Sequence, residues 1–303
     1  MSDTQTEYTP GHESAVMRSM MTVPVVVQRF VDKAPAAGAD AICLDLEDSI
    51  PPAEKAAARP LARKAIETMP RSGFAMYVRV NGYATGLTED DLAAVVLPGL
   101  DGIVLSKAES VQMIADLDAH LGRLEAEHGI ESGHVAIVPL LETAKGIVEA
   151  YDVCRASSRA AGAIFGAEDF ATDMAIKRTE TAEEVLWARS AVAVACRAAG
   201  IAAIDTPDPN YSDETHLRRE MNKAKGLGYC GKLCIHPTQV QIANEIFSPD
   251  EDEVAEARTI VEAFERDGLA KGIAAIAVDG KMIDTPIYWR ARRLVEWAEA
   301  IKP

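Results

Sequence analysis

Ala136-Ile137-Val138-Pro139-Leu140-Leu141-Glu142-Thr143-Ala144-Lys145-Gly146-Ile147 reads as a buried strand that ends in a carboxylate and turns at once into a helix. Before Glu142 the side chains are apolar on both faces, the pattern of a parallel strand with helices outside and a packed interior within. Glu142 then stands at the carboxyl end of the strand, where α/β proteins place their chemistry. The alternative is that it caps the next helix, so the decision lies with what the other strands deliver to the same rim.

Working outward from that stretch, similar short runs recur at Arg18 to Val27, Ala41 to Leu46, Ala75 to Val80, Gly102 to Ser106, Val135 to Leu141, Ala163 to Gly166, Ala202 to Ile204 and Leu233 to Ile235. Helical patterns separate them. Thr88-Glu89-Asp90-Asp91 resembles an acidic first turn, Thr181 with Glu184 a capping box for a helix ending at Gly200, and Gly129 closes the helix that follows Glu109. About eight βα units of roughly thirty residues each predict a (β/α)8 barrel. The barrel is assigned to residues 15–247, after a loose tail at 1–14. Residues 248–303 form a helical extension, opened by Ser248-Pro249-Asp250-Glu251 as cap, first-position proline and acidic third residue. That extension is too short for a domain of its own and is expected to act as a lid, on its own barrel or a neighbour's.

The strand ends carry Asp45, Glu47 and Asp48, then Arg79 and Asn81, Lys107, Glu142, Asp169, Asp205 and His236. A barrel brings such residues to one mouth. Glu142 and Asp169 are the natural ligands for Mg2+, which takes one or two protein carboxylates and completes its shell with water and substrate oxygens. So placed, the ion chelates a 2-oxo or 2-hydroxy acid and polarises its carbonyl. Arg79 suits a carboxylate or an enolate oxygen, against the alternative of a structural ion pair closing the mouth. Glu47 and Asp48 are too crowded with Asp45 to ligate together, so they are assigned to orienting metal-bound water or Arg79. The other reading of that run is a helix start at Ser49-Ile50-Pro51-Pro52. His236 is equally suited to a core role and to catalysis.

A formal net charge of -16 leaves no basic stripe for nucleic acid. The start of the chain carries no apolar leader, and no apolar run reaches membrane-spanning length. Five cysteines without a metal-binding spacing read as reduced thiols, so a cytoplasmic location is expected. Serine-elbow, zinc-protease, Walker and dinucleotide motifs are all missing.

The run Gly38-Ala39-Asp40-Ala41-Ile42-Cys43-Leu44-Asp45-Leu46-Glu47-Asp48-Ser49-Ile50-Pro51-Pro52, with Lys55 and Ala58-Arg59, resembles the citrate lyase β-subunit-like and malyl-CoA lyase family. So do Val78-Arg79-Val80-Asn81-Gly82, Leu141-Glu142-Thr143-Ala144, Phe165-Gly166-Ala167-Glu168-Asp169 and Gly231-Lys232-Leu233-Cys234-Ile235-His236-Pro237. The likeness runs in order from about Arg18 to the end of the chain. It implies a (β/α)8 barrel, assembled as a homotrimer or hexamer, that makes or breaks a carbon–carbon bond in a 3-hydroxyacyl-CoA such as malyl-, methylmalyl- or citramalyl-CoA. Glu142 and Asp169 are then the Mg2+ ligands, Arg79 the oxo-acid contact and enolate stabiliser, and Asp284 the lid aspartate serving as acid/base. Arg18 and Lys33 stand where the family has basic residues for CoA. The chain departs from the family after its first strand: Val25-Val26-Val27 replaces a glycine-containing loop whose backbone approaches phosphate. A substrate on an acyl carrier protein, or a free 2-oxo-4-hydroxy acid, is the alternative that this departure keeps open.

Overall fold

The computed structural model describes residues 16–71 and 73–301; the tail assigned to 1–14 lies outside them. Its first compact unit, Met1–Glu245, is built on eight strands: β1 (Ser19–Pro24), β2 (Ala41–Asp45), β3 (Ala75–Val80), β4 (Gly102–Leu105), β5 (Ala136–Leu141), β6 (Gly162–Phe165), β7 (Ala202–Asp205) and β8 (Gly231–Cys234). Each pairs in parallel with the next, and β8 returns to β1 through Ser19↔Lys232, Met20↔Leu233 and Met21↔Cys234. The sheet is a closed barrel with helices between successive strands. The expected (β/α)8 fold is therefore what the chain adopts.

Parity along the strands decides what reaches the mouth. Side chains two apart in a strand share a face. Residues from all eight strands meet in one cluster, among them Met20, Cys43, Tyr77, Val138, Leu140 and Ile204. These fill the barrel. Two residues beyond Cys43, Tyr77 and Leu140 come Asp45, Arg79 and Glu142, on that same inward face. Asp205 follows Ile204 by one and Lys232 precedes Leu233 by one, so both face the helices instead.

Local details depart from the sequence expectations. β8 begins two residues early because Gly231 lets the chain pass Met17; a Cβ there would lie 1.7 Å from the Met17 carbonyl oxygen. The Thr181–Glu184 capping box does not form: the Glu184 carboxylate accepts from the backbone N–H and hydroxyl of Thr179. The helix Glu251–Ala263 is capped by Asp250, which accepts from the N–H groups of Asp252 and Glu253, and not by Ser248. Gly129 does close the helix Val111–His128, in the left-handed conformation.

The second unit, Ile246–Pro303, holds that helix, a hairpin of β9 (Ala275–Val278) and β10 (Lys281–Asp284), and the helix Thr285–Ile301. Asp279 and Gly280 turn the hairpin with φ of 50° and 76°, as a tight two-residue connection requires. Phe264, Ile283 and Tyr288 form its core, the Phe264 and Tyr288 rings stacked 4.9 Å apart.

Candidate active site

At the ends of β2 and β3, Asp45 and Arg79 form a two-point ion pair. Arg79 Nε donates to Asp45 Oδ1 and Nη2 to Oδ2, both at 2.7 Å. The remaining acceptor sites of Asp45 take the N–H groups of Glu47 (2.9 Å) and Ser49 (3.0 Å), which wraps the loop around the buried carboxylate. Burial pushes the Asp45 carboxyl up, but Arg79 and these hydrogen bonds outweigh it and hold it below the usual range. Lys55 braces the loop from outside, Nζ donating to the carbonyls of Leu46 and Glu47. Arg79 Nη1 lies 3.1 Å from Glu47 Oε2 and 3.2 Å from Asp48 Oδ2.

Across the mouth, Glu142 is 2% exposed at the end of β5. It does not cap the following helix. Thr143 does, its hydroxyl accepting from the Gly146 N–H at 3.1 Å. Glu142 Oε1 instead accepts from the Lys107 N–H at 2.9 Å. Gly166 makes room for it: a Cβ there would sit 2.5 Å from Glu142 Cβ and 2.7 Å from Oε2. Asp169 stands in the first turn of the helix Ala167–Asp173, directly after β6. That helix is tied to the one after β5, since Asp173 Oδ2 accepts from the Ala144 N–H at 2.7 Å.

These acids crowd one another. Burial, then the nearby carboxylates of Asp169 and Glu47, raise the Glu142 carboxyl well above its ordinary range. Burial, opposed by Arg79 and helped by Asp48, pushes Glu47 up to about 7. The Lys107 ammonium lies between two of them, 3.5 Å from Glu47 Oε1 and 3.2 Å from Asp169 Oδ1. Against the effect of burial, these carboxylates hold it protonated beyond the ordinary lysine range. The cluster thus unites Asp45, Glu47, Asp48, Arg79, Lys107, Glu142 and Asp169 from four strand ends and one helix start.

Other rim candidates go elsewhere. Asp205 is wholly buried behind the barrel wall, paired with Arg189 (2.8 Å) and Lys232 (3.0 Å). Asn81 binds Asp91 and the Leu46 carbonyl, and Asp91 also takes Arg59, so the predicted acidic first turn is a brace between helices. His236 stacks on Tyr211 at 4.7 Å and accepts or donates at Thr238. Glu168 turns to Arg178. Arg18 makes a two-point pair with Asp40 at the amino ends of β1 and β2, the opposite end of the barrel from the cluster. Lys33 is exposed in the last turn of the helix Gln28–Lys33. Asp284 belongs to the second unit, where its Oδ1 accepts from the Ile287 N–H at 3.2 Å and caps the last helix. Lys107 is a member of the cluster that the strand-end pattern lists without a role; its signal was a basic residue among acids.

Among the described residues no three acidic, histidine or cysteine side chains converge to hold a metal by themselves. Mg2+ asks for fewer: hard oxygen donors, one or two of them from protein. Glu142 and Asp169 fit that requirement. Glu142 keeps Oε2 without a protein hydrogen-bond donor among the described residues, and a lysine ammonium already bridges the neighbouring acids.

A closed parallel barrel with an arginine-backed acidic mouth is the architecture of a barrel enzyme, whose site lies at the carboxyl ends of its strands. The chain belongs to the HpcH/HpaI aldolase/citrate lyase family, a family of carbon–carbon lyases, whose model matches residues 18–237. The resemblance read from the sequence is borne out. Over 283 residues the chain is 37% identical to the citrate lyase subunit beta of Leuconostoc mesenteroides subsp. cremoris, covering 93% of each. It is 32% identical to the L-malyl-CoA/beta-methylmalyl-CoA lyase of Cereibacter sphaeroides, covering 89% of this chain and 91% of that one. Among solved structures it is similar to CitE from Mycobacterium tuberculosis in complex with magnesium, acetoacetate and coenzyme A. The TM-score is 0.74 at 26% identity, covering 94% of this chain and 99% of that one.

Proposed function

We propose that this protein is a Mg2+-dependent lyase that cleaves or forms a 3-hydroxyacyl-CoA such as malyl-, methylmalyl- or citramalyl-CoA, yielding acyl-CoA and glyoxylate or pyruvate. The observation that carries the reading is Glu142: a carboxylate buried at a barrel mouth beside Asp169 and Glu47, with one oxygen held by a backbone N–H and the other left for a ligand. The magnesium-bound relative and the malyl-CoA-type relative support it.

In cleavage the substrate hydroxyl loses its proton and its carbon becomes the carbonyl of the oxo-acid. The bonding pair passes to the thioester α-carbon, and the enolate takes up a proton to give acyl-CoA. Glu142 and Asp169 would hold Mg2+, which when bound would supply Lewis-acid polarisation of the oxo-acid oxygens. Arg79 has five N–H donors: Nε and one on Nη2 go to Asp45, and Nη1 faces Glu47 and Asp48. The second Nη2 hydrogen is left to serve the oxo-acid carboxylate or the enolate oxygen. Asp45 keeps the guanidinium rigid, and Glu47 and Asp48 orient it; they would also face the water that completes the shell of a bound Mg2+. Asp284 is assigned the proton transfer by family resemblance, and Lys33 a CoA contact on the same ground; Arg18, paired with Asp40 at the opposite end of the barrel, is withdrawn from that role. A homotrimer or hexamer in the cytoplasm, with the last segment as a lid, completes the reading.

A second reading has a specific observation behind it. The turn after β1 is closed by the Val27 N–H on the Pro24 carbonyl, with Val25 buried, and offers no glycine to a phosphate. A thioester on an acyl carrier protein, as for a citrate lyase β-like subunit, or a free 2-oxo-4-hydroxy acid, dispenses with that contact.

The test is acyl-CoA release from the three thioesters with Mg2+ and with chelator. Chelator-sensitive cleavage of one of them is expected, and it is lost in Glu142→Gln with the fold intact. No cleavage of any by the folded protein refutes the CoA reading and directs attention to the carrier-bound and free-acid substrates. Asp284→Asn separates chemistry from structure, because asparagine caps a helix about as well as aspartate. It is expected to lose activity while melting like the wild type.

A further inference from the structure

We propose that Lys107 is a tethered counter-cation: its ammonium occupies the acidic mouth in competition with the divalent cation and thereby sets the affinity for it. This rests on the metal reading above.

Lys107 takes a left-handed backbone, φ 52°, which lysine seldom adopts. The constraint on it is visible on both sides. A Cβ on Gly82 would meet the Ser106 carbonyl oxygen at 2.8 Å, and one on Gly146 the Ala108 carbonyl oxygen at 2.6 Å. Two glycines thus clamp the turn. Ser106 Oγ and Ala108 N fix its ends on the carbonyls of Val80 (2.9 Å) and Leu140 (3.1 Å). The strained conformation aims both polar ends of one residue at the acids. The N–H goes to Glu142 Oε1 at 2.9 Å, and Nζ goes to Asp169 Oδ1 at 3.2 Å and Glu47 Oε1 at 3.5 Å.

The backbone contact is permanent, whereas the ammonium ends a flexible stem with a 43% exposed side chain. Asp169, one of the two assigned metal ligands, is the acid it contacts most closely. A cation taking Asp169 Oδ1 displaces the ammonium toward solvent. Lys107 is in this sense a positioning residue: it keeps Glu47, Glu142 and Asp169 together before the metal arrives and yields to it.

The experiment is a calorimetric titration of Mg2+ into chelator-treated full-length wild type, Lys107→Gly and Lys107→Met. Glycine preserves the left-handed turn and its N–H on Glu142 while removing the ammonium. Methionine keeps most of the stem. If the ammonium fills the mouth about nine-tenths of the time, its removal tightens apparent Mg2+ binding about tenfold. Both variants are also expected to melt below the wild type in chelator and to gain more from saturating Mg2+. Unchanged or weaker binding by both variants while the wild type binds overturns the inference alone. Binding by none of the three proteins overturns the inference and the metal reading together. Binding by the variants and not by the wild type supports it.

Discussion

Replacing Asp45 by asparagine tests whether the arginine of the mouth is fixed by a buried charge. Four donors converge on the Asp45 carboxylate: Arg79 Nε and Nη2, and the backbone N–H groups of Glu47 and Ser49. Asparagine is nearly the same size but keeps one acceptor oxygen and turns an NH2 group toward two of those donors. Losing two hydrogen bonds to a charged group, at about 1.5–3 kcal/mol each, gives a destabilisation of about 3–6 kcal/mol. Breaking a buried ion pair from one side independently gives about 3–5 kcal/mol. The expected shift in melting temperature is on the order of 10 °C. The pH dependence carries the distinctive signature. Asp45 is held below its ordinary range, so its contribution is present above the unfolded value of about 3.9 and lost as pH falls through the folded one. The variant has nothing to lose there. Thermal and urea denaturation from pH 7 to pH 3 should show the gap between the two proteins closing below about pH 4. A gap independent of pH, or an asparagine variant as stable as the wild type at pH 7, refutes the claim that this charge organises the loop and Arg79.

Two further outcomes are expected. Gly166→Ala places a methyl group within 2.7 Å of the Glu142 side chain and forces it aside, so kcat/KM should fall by about 100-fold, the loss that a misplacement of about an ångström produces. Steady-state kinetics beside a melting curve checks this, since the barrel itself is expected to remain folded. Glu47, pushed up to about 7 chiefly by burial, contributes stability that is full below its unfolded value of about 4.3 and lost as pH rises through about 7. The chelated protein should therefore become less stable across that window, Glu47→Gln should flatten the decline, and Mg2+ should offset it.

The barrel was legible because eight apolar runs at regular spacing admit few other topologies. The mouth was legible where parity cooperates: Asp45, Arg79 and Glu142 each lie two residues beyond an inward-facing core side chain. Asp205 was not, because a list of strand ends ignores parity; it follows inward Ile204 by one residue and turns out to the helix layer. His236, open in the sequence between a core role and catalysis, stacks on the exposed Tyr211, a contact that no local pattern encodes. Lys107 was visible as a charge but not as a contact. Its reach depends on a left-handed turn held by Gly82 and Gly146, which are distant in sequence from it and from each other.

Two buried acid clusters now stand on the same barrel, and their charge balance separates structure from chemistry. Behind the wall, Asp205 and Glu220 face Arg189 and Lys232, with Tyr229 hydrogen-bonded to the Arg189 carbonyl. Each acid has at least one base, with Arg219 adding a third at the edge 3.5 Å from Glu220, and no acid remains to be neutralised. At the mouth, Asp45, Glu47, Asp48, Glu142 and Asp169 face, among the described residues, only Arg79 and Lys107. Asp45 consumes Arg79, and the lysine is half in solvent. Burying charge is unfavourable unless it is paired, so a fold that keeps this imbalance at its mouth is poised to take up positive charge there. A divalent cation supplies it, and an oxo-acid bound to that cation then finds the arginine already held in place. The closed network belongs to the stability of the barrel; the open one is where the reaction is expected to run.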